Sequence, residues 1–329
     1  MKKLVVSALA LAVASWATPS SAATLKALGC WAKSHDYIEA FFATFVKPLG
    51  DAKGPININY LGGPEVTPSQ KAAQALQRGV VDIIICPAAY YGGMFGEARL
   101  PGVQNKSLEE IRKNGGFDMM QEAWGKNLNA RIIAWTHFGG QKFYMYTAVK
   151  PKLSKELGVD LKGLKIRSTG LYNPFLKAMG ATTVVIAPPD VYSALERGVV
   201  TGLAWPWGSV AKYGWEKFLK YRIKPDFFGA SVLVLVNKDK YNSLTSAEKD
   251  QLEKQARIYE QKSPQIMIDK GVEDDAKLAK AGVQDIELEG EYARAYIKTI
   301  YEAKWAENDK LKYTVDYKTL KSKLFTPIE

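Results

Sequence analysis

The chain has 329 residues, 47% of them hydrophobic and 11% aromatic, which supplies apolar cores for two domains of ordinary size. Its formal charge of +11 admits anionic partners, but the lysines are scattered, as in "KLSKELGVDLKGLK", which reads as a solvated face and argues against nucleic acid. Two cysteines and two histidines exclude a disulfide-built scaffold and a histidine-rich metal centre, and neither a zinc spacing nor a GxSxG elbow occurs, so no metal, no cofactor and no enzyme are expected.

"MKKLVVSALALAVASWATPSSAA" opens with two lysines, continues with apolar and small residues from Leu4 to Ala17, and ends in small residues. Residues 1–23 read as a secretory signal peptide cleaved near Ala22 or Ala23. The apolar run is shorter than the roughly 20 residues of a spanning helix. The mature chain is therefore expected to be soluble and exported; the periplasm is its expected compartment and a monomer its expected state.

Strand and helix then alternate. "TLKALGC" (24–30) leads into the amphipathic helix "DYIEAFFATFVKPL", then to "ININYL" (56–61), a helix from Ser69, and "VDIIIC" (81–86). Alternation predicts a parallel sheet with crossover helices. The pattern returns as "LKIRS", the helix "NPFLKAMG", "TTVVI" (182–186), a helix from Asp190, and "GLAW". The likeness extends to the residues: "ALQRGVVDIIICP" (75–87) and "ALERGVVTGLAWP" (194–206) agree at seven of thirteen positions. Each copy reads as a helix end, a glycine stop at Gly79 or Gly198, and a strand broken by a proline.

Between and after the halves lie the strand-like stretches "ARIIAWTHFGGQKFYMYTAV" (130–149) and "PDFFGASVLVLVNK" (225–238). They predict more than one passage between two lobes. From Ser246 a long helical run, with Pro264 inside it as an expected kink, would brace those lobes. The expected division is 24–147 plus 232–270 for the first lobe and 148–231 plus 271–329 for the second. In a sheet of order 2-1-3 the strands ending at Cys30 and Cys86 are neighbours about 4.8 Å apart, so the two sulfurs should lie close; whether they bond is left open.

Ligands of open α/β sheets sit at the carboxyl ends of strands. Arg167 stands there in "GLKIRSTGLYNPFLKAMGA", and a guanidinium at such a place snorkels to water, pairs with an internal acid, or awaits an anion. Aromatic residues occupy other strand ends: Trp31, Tyr90, Trp205 and Trp207, with Phe138 read as core packing. His35, at a helix start, is either solvent-exposed or a donor to a ligand oxygen. Glu65 in "GGPEVTP" reads as a solvated loop acid.

"DLKGLKIRSTG" (160–170) and "MGATTVVIAPPDVYSALERGVVTGLAWP" (179–206) together resemble the solute-binding proteins of TRAP transporters, the tripartite ATP-independent periplasmic transporters. The resemblance covers essentially the whole mature chain. It implies an α/β, two-lobed periplasmic binding protein fold of type II character, each lobe a doubly wound sheet with hinge strands and a long bracing helix. It implies closure over a small organic acid, with Arg167 making a bidentate salt bridge to the carboxylate, and delivery to TRAP membrane subunits. Where the family often carries a second arginine, "FGGQKF" offers Gln141 and Lys142; where it often has "GQENP", this chain has "GLAWPW". The expected ligand is thus an aromatic or otherwise apolar monocarboxylate, held by Arg167, Trp205, Tyr90, Trp31, Gln141, Lys142, Trp207 and His35. The alternatives are a small keto or hydroxy acid or a dicarboxylate in the same role, a module of the same fold serving a sensor or an ABC importer, and an exported hydrolase using His35 or His137 with a serine.

Overall fold

The computed structural model describes residues 22–136 and 142–328. Strands β1 (Ala23–Gly29), β2 (Ile56–Gly62), β3 (Ile83–Cys86), β4 (Ala130–Thr136), β5 (Lys142–Thr147), β6 (Lys152–Ser154) and β7 (Gly158–Asp160) come from the first half of the chain. They are followed by β8 (Lys165–Ser168), β9 (Thr182–Val185), β10 (Gly202–Pro206), β11 (Tyr221–Gly229), β12 (Val232–Asn237) and β13 (Gln284–Glu287). Two large sheets result, of order β2-β1-β3-β12-β4 and β13-β11-β5-β10-β8-β9.

The internal repeat is visible in both. β2-β1-β3 and β9-β8-β10 are parallel triplets of the same 2-1-3 order, as the sequence predicted. The helix before the third strand spans Ala72–Gln77 in one copy and Val191–Glu196 in the other. Both helices end alike. Gly79 and Gly198 take φ of 69° and 65°, and the next amide reaches back across the turn, Val80 to the Ala75 carbonyl at 3.0 Å and Val199 to the Ala194 carbonyl at 2.9 Å. This is the glycine-dependent helix stop, and it recurs because the same residues recur.

Each triplet is completed by an antiparallel strand from the other half of the chain. β12 pairs with β3 and β4, and β5 pairs with β10 and β11. Residues 142–147, assigned to the first lobe from sequence, therefore hydrogen-bond in the second sheet. Each lobe borrows a strand because an open edge beside a buried apolar strand leaves backbone groups unpaired. A second correction concerns the C-terminus. Helix Tyr317–Leu324 returns to the first lobe, where Asn114 Nδ2 donates to the Lys323 carbonyl at 2.8 Å and Lys106 Nζ to the Ser322 carbonyl at 2.6 Å. Its i,i+4 pair Leu320 and Leu324 is fully buried there.

The long helix spans Ser246–Lys280 without interruption, opened by a Thr245–Glu248 capping box and carrying Pro264 inside it. Its first part lies on the first lobe, with Thr136 and Ser263 hydroxyls 2.7 Å apart and Gln255 Nε2 donating to the Thr44 carbonyl at 2.6 Å. Its last part lies on the second, where the Asp274 carboxylate accepts the Val210 and Ala211 amides at 3.1 and 2.9 Å. Burial raises the Asp274 pKa to about 6. Cys30 and Cys86 form a disulfide with Cα atoms 5.1 Å apart, just past β1 and at the end of β3. The proximity predicted from strand order holds, and the bond that the sequence left open is present.

Candidate functional site

A cleft of about 740 Å³, part of it open to solvent, runs between the carboxyl ends of the two parallel triplets. Arg167 forms its floor on the second lobe. β8 lies between β9 and β10, with Arg167 opposite Val184 and Leu203, so the side chain leaves the middle strand of the parallel triplet. It is 2% exposed. Its Nε donates to the Ile186 carbonyl at 2.9 Å and the guanidinium lies 5.1 Å from the Trp205 ring centre. Nη1 is buried with no partner among the described residues, and no carboxylate there pairs with the group. Burial pulls its pKa down, and the phenols nearest it electrostatically are Tyr172 and Tyr90. Of the three fates open to this arginine, snorkelling and internal pairing are thereby set aside. A charge so placed costs several kcal/mol of desolvation unless an anion meets it.

The walls are aromatic. Trp205, 5% exposed, donates from Nε1 to Ser209 Oγ at 2.8 Å and packs edge-on against Trp215. From the first lobe, Trp31 Nε1 donates to the Tyr90 hydroxyl at 3.1 Å, which locks two rings whose centres are 5.7 Å apart. His35 stacks on Trp31 at 4.9 Å. It is buried rather than solvent-exposed, because it caps helix Asp36–Phe41 with Nδ1 accepting the Tyr37 amide at 3.2 Å. Burial, reinforced by Lys212, lowers its pKa to about 3, so the ring is neutral and carries its proton on Nε2.

Arg167, Trp205, Tyr90, Trp31 and His35 thus share one cleft. Two other candidates do not line it. Trp207 turns away: its Nε1 donates to Asp275 Oδ1 at 2.9 Å and its ring covers Gly271 so closely that a Cβ there would collide with it. Lys142 points to Asp226, 3.3 Å from its Oδ1, and is half exposed. Gln141, His137 and Phe138 lie outside the described residues. Glu65 folds back on its own loop and accepts the Gly63 amide at 2.7 Å.

Of the lining residues that the sequence reading did not name, two bear polar groups central to the site. Tyr172, 4% exposed, follows β8 in "STGLYNP" and occupies a strand-to-helix turn like that of Tyr90, so the rule that found one could have found the other. Asp36, 1% exposed, reads from sequence as an ordinary first-turn helix acid. The structure pairs its Oδ1 with Lys212 Nζ at 2.6 Å and Lys270 Nζ at 3.0 Å. Glu39 joins this cluster, 2.7 Å from Lys270 and 3.4 Å from Lys212. Since Lys212 follows β10, the cluster ties the two lobes together at the cleft. Among the described residues no group of three or more metal-ligating side chains occurs and no helix is long and apolar enough to cross a membrane.

Comparison with known proteins agrees with this architecture. A TRAP transporter solute-binding protein of Bordetella bronchiseptica RB50, with copurified calcium and picolinate in its active site, superposes with a TM-score of 0.76 at 21% identity, over 92% of each chain. DctP7 of Bordetella pertussis, an extracytoplasmic solute receptor binding pyroglutamic acid, gives 0.76 at 18% identity over 92% of this chain and 99% of that one. In sequence, a monocarboxylate 2-oxoacid-binding periplasmic protein of Nostoc is 31% identical over 201 residues, 58% of this chain and 53% of its own length. The chain therefore spans about half the length of that relative. Residues 31–308 match the bacterial extracellular solute-binding proteins of family 7. Binding without chemical change is the work of such proteins, and the chain belongs to this family, the DctP solute-binding proteins.

Proposed function

We propose that this protein captures a small organic monocarboxylate with an apolar or aromatic body in the periplasm, acting as a monomer, and delivers it to TRAP membrane subunits. Export would remove residues up to Ala22 or Ala23. The observation that carries the reading is the buried Arg167 guanidinium whose Nη1 has no partner among the described residues. A planar fork presents paired donors to a planar carboxylate, and lobe closure excludes the water that would weaken them. Trp205, Trp31 and Tyr90 then supply apolar area for the ligand body, at about 25 cal/mol per Å² buried.

A dicarboxylate fits less well. Arg167 is the one fixed cation among the described lining residues, and Lys212 and Lys270 beside the cleft are already met by Asp36 and Glu39, so a second carboxylate would be desolvated without a partner. The Nostoc relative's name favours a short 2-oxo monoacid as a second reading. A ring bearing one carboxylate, the form of the picolinate and pyroglutamate of the Bordetella proteins, meets both requirements of the cleft. First-lobe residues Trp31 and Tyr90 and second-lobe residues Arg167 and Trp205 would share the ligand, so it favours the closed arrangement over the open one. The pivot would lie at Ala230 and Ser231, between β11 and β12.

Thermal-shift and calorimetric titration with benzoate, cinnamate, pyruvate and succinate tests the reading. Stabilisation by one or more monoacids is expected; stabilisation by succinate alone would overturn it. Mass spectrometry of acid-extracted, freshly purified protein identifies the natural occupant.

A further inference from the structure

We infer that Asp36 is a second recognition group, which reads a hydroxyl on the body of the bound acid and so makes the preferred ligand a hydroxylated carboxylic acid. This rests on the proposed role of Arg167 as carboxylate anchor and adds what the other end of the cleft selects.

The two oxygens of Asp36 have different surroundings. Oδ1 receives Lys212 and Lys270, whereas Oδ2 is buried with no partner among the described residues, in a side chain that lines the cleft. An ionised carboxylate accepts at both oxygens, and a buried acceptor left unmade is unfavourable. The pairing of Oδ1 fixes the carboxylate, so Oδ2 has little freedom to find a donor within the protein.

His35, its neighbour in the chain, adds the complementary function. With Nδ1 occupied by the Tyr37 amide, its Nε2 is left as a donor, and the ring is pinned by the Trp31 stack. Consecutive residues of one wall thus offer an acceptor and a donor. A hydroxyl, which gives one hydrogen bond and takes another, matches that pair. An ammonium satisfies Asp36 alone and brings its charge beside Lys212 and Lys270, while a second carboxylate has no hydrogen to give the Asp36 acceptor. Arg167 lies on the other lobe, so the two groups grip the ligand from opposite sides of the cleft.

Calorimetry with matched acids tests the inference: benzoate against 3- and 4-hydroxybenzoate, cinnamate against 4-hydroxycinnamate, and butyrate against 3-hydroxybutyrate. For wild type, at least one hydroxylated member is expected to bind tenfold or more tighter than its parent. In Asp36→Asn that ratio should fall to within twofold, because an amide nitrogen or a displaced oxygen cannot keep both the lysine pair and the ligand bond. Trp207→Phe, which alters an indole bound to Asp275 and outside the cleft, should keep the ratio. Arg167→Met should abolish binding of every acid. Ratios within twofold for all wild-type pairs, a measurement that needs no variant, would overturn the role of Asp36, as would a preference that survives in Asp36→Asn. Undiminished binding by Arg167→Met would instead overturn the carboxylate reading beneath it.

Discussion

Replacing Arg167 by methionine separates binding from folding, because the two should respond in opposite directions. The substitution removes the Nε bond to the Ile186 carbonyl, 2.9 Å, and the contact with the Trp205 face, 5.1 Å, but fills nearly the same volume. A carboxylate left in the closed cleft without its fork loses its charge-assisted partners, at a cost of about 3–5 kcal/mol. At about 1.4 kcal/mol per tenfold, Kd should rise by roughly two to three and a half decades. The ligand-free protein should be as stable as wild type or more so, since an unpaired buried charge has been exchanged for an apolar side chain. Calorimetry for affinity and a thermal or urea midpoint for stability read the two effects. Arg167→Lys keeps the charge but not the fork and should bind at least about tenfold more weakly than wild type. A methionine variant whose Kd stays within about tenfold of wild type would refute the assignment, and one that lost stability along with affinity would show that the guanidinium is a structural group.

Cys30→Ser with Cys86→Ser opens a covalent loop of sequence separation 56 and should lower unfolding free energy by about 4 kcal/mol while leaving affinity nearly unchanged; urea titration checks this. His35 has a folded-state pKa of about 3 against an ordinary 6.5, so between those values the unfolded chain binds the extra proton and stability falls as pH drops. His35 contributes a slope approaching about 1.4 kcal/mol per pH unit, opposed in part by Asp274, whose folded-state pKa of about 6 makes stability rise as pH falls, so the wild-type slope should exceed that of His35→Asn, which keeps a helix-capping side chain, by about that amount; equal slopes in urea midpoints from pH 7 to 4.5 would contradict the buried neutral ring. Binding of an aromatic acid should quench tryptophan emission, and Trp205→Phe should remove much of that quench while Trp207→Phe leaves it in place, because only the first indole lines the cleft.

The parts of this protein written locally in the chain were legible from it. The repeat could be read because each copy specifies its own helix, its own left-handed glycine and its own strand, all settled within a few residues of each other. From strand order came the nearness of Cys30 and Cys86, and from the rule that ligands gather at strand ends came the placing of Arg167, Tyr90 and Trp205 in one cleft. What only the tertiary structure decided depends on partners distant in sequence. Trp205 and Trp207 are two residues apart beside the same strand end, yet one faces the cleft and the other covers Gly271, because the long helix supplies Asp275 to the second indole. Lys142 is drawn off by Asp226 across the β5–β11 pairing, and the strand carrying it joins the second sheet. Asp36 was not singled out from the sequence, because Lys212 and Lys270, which pair with its Oδ1, come from chain more than a hundred residues further on, and its Oδ2 is left buried without a partner among the described residues. A side chain's type fixes which partners it can take, but which one it meets depends on how the lobes are folded together, and pattern along the chain does not carry that distance.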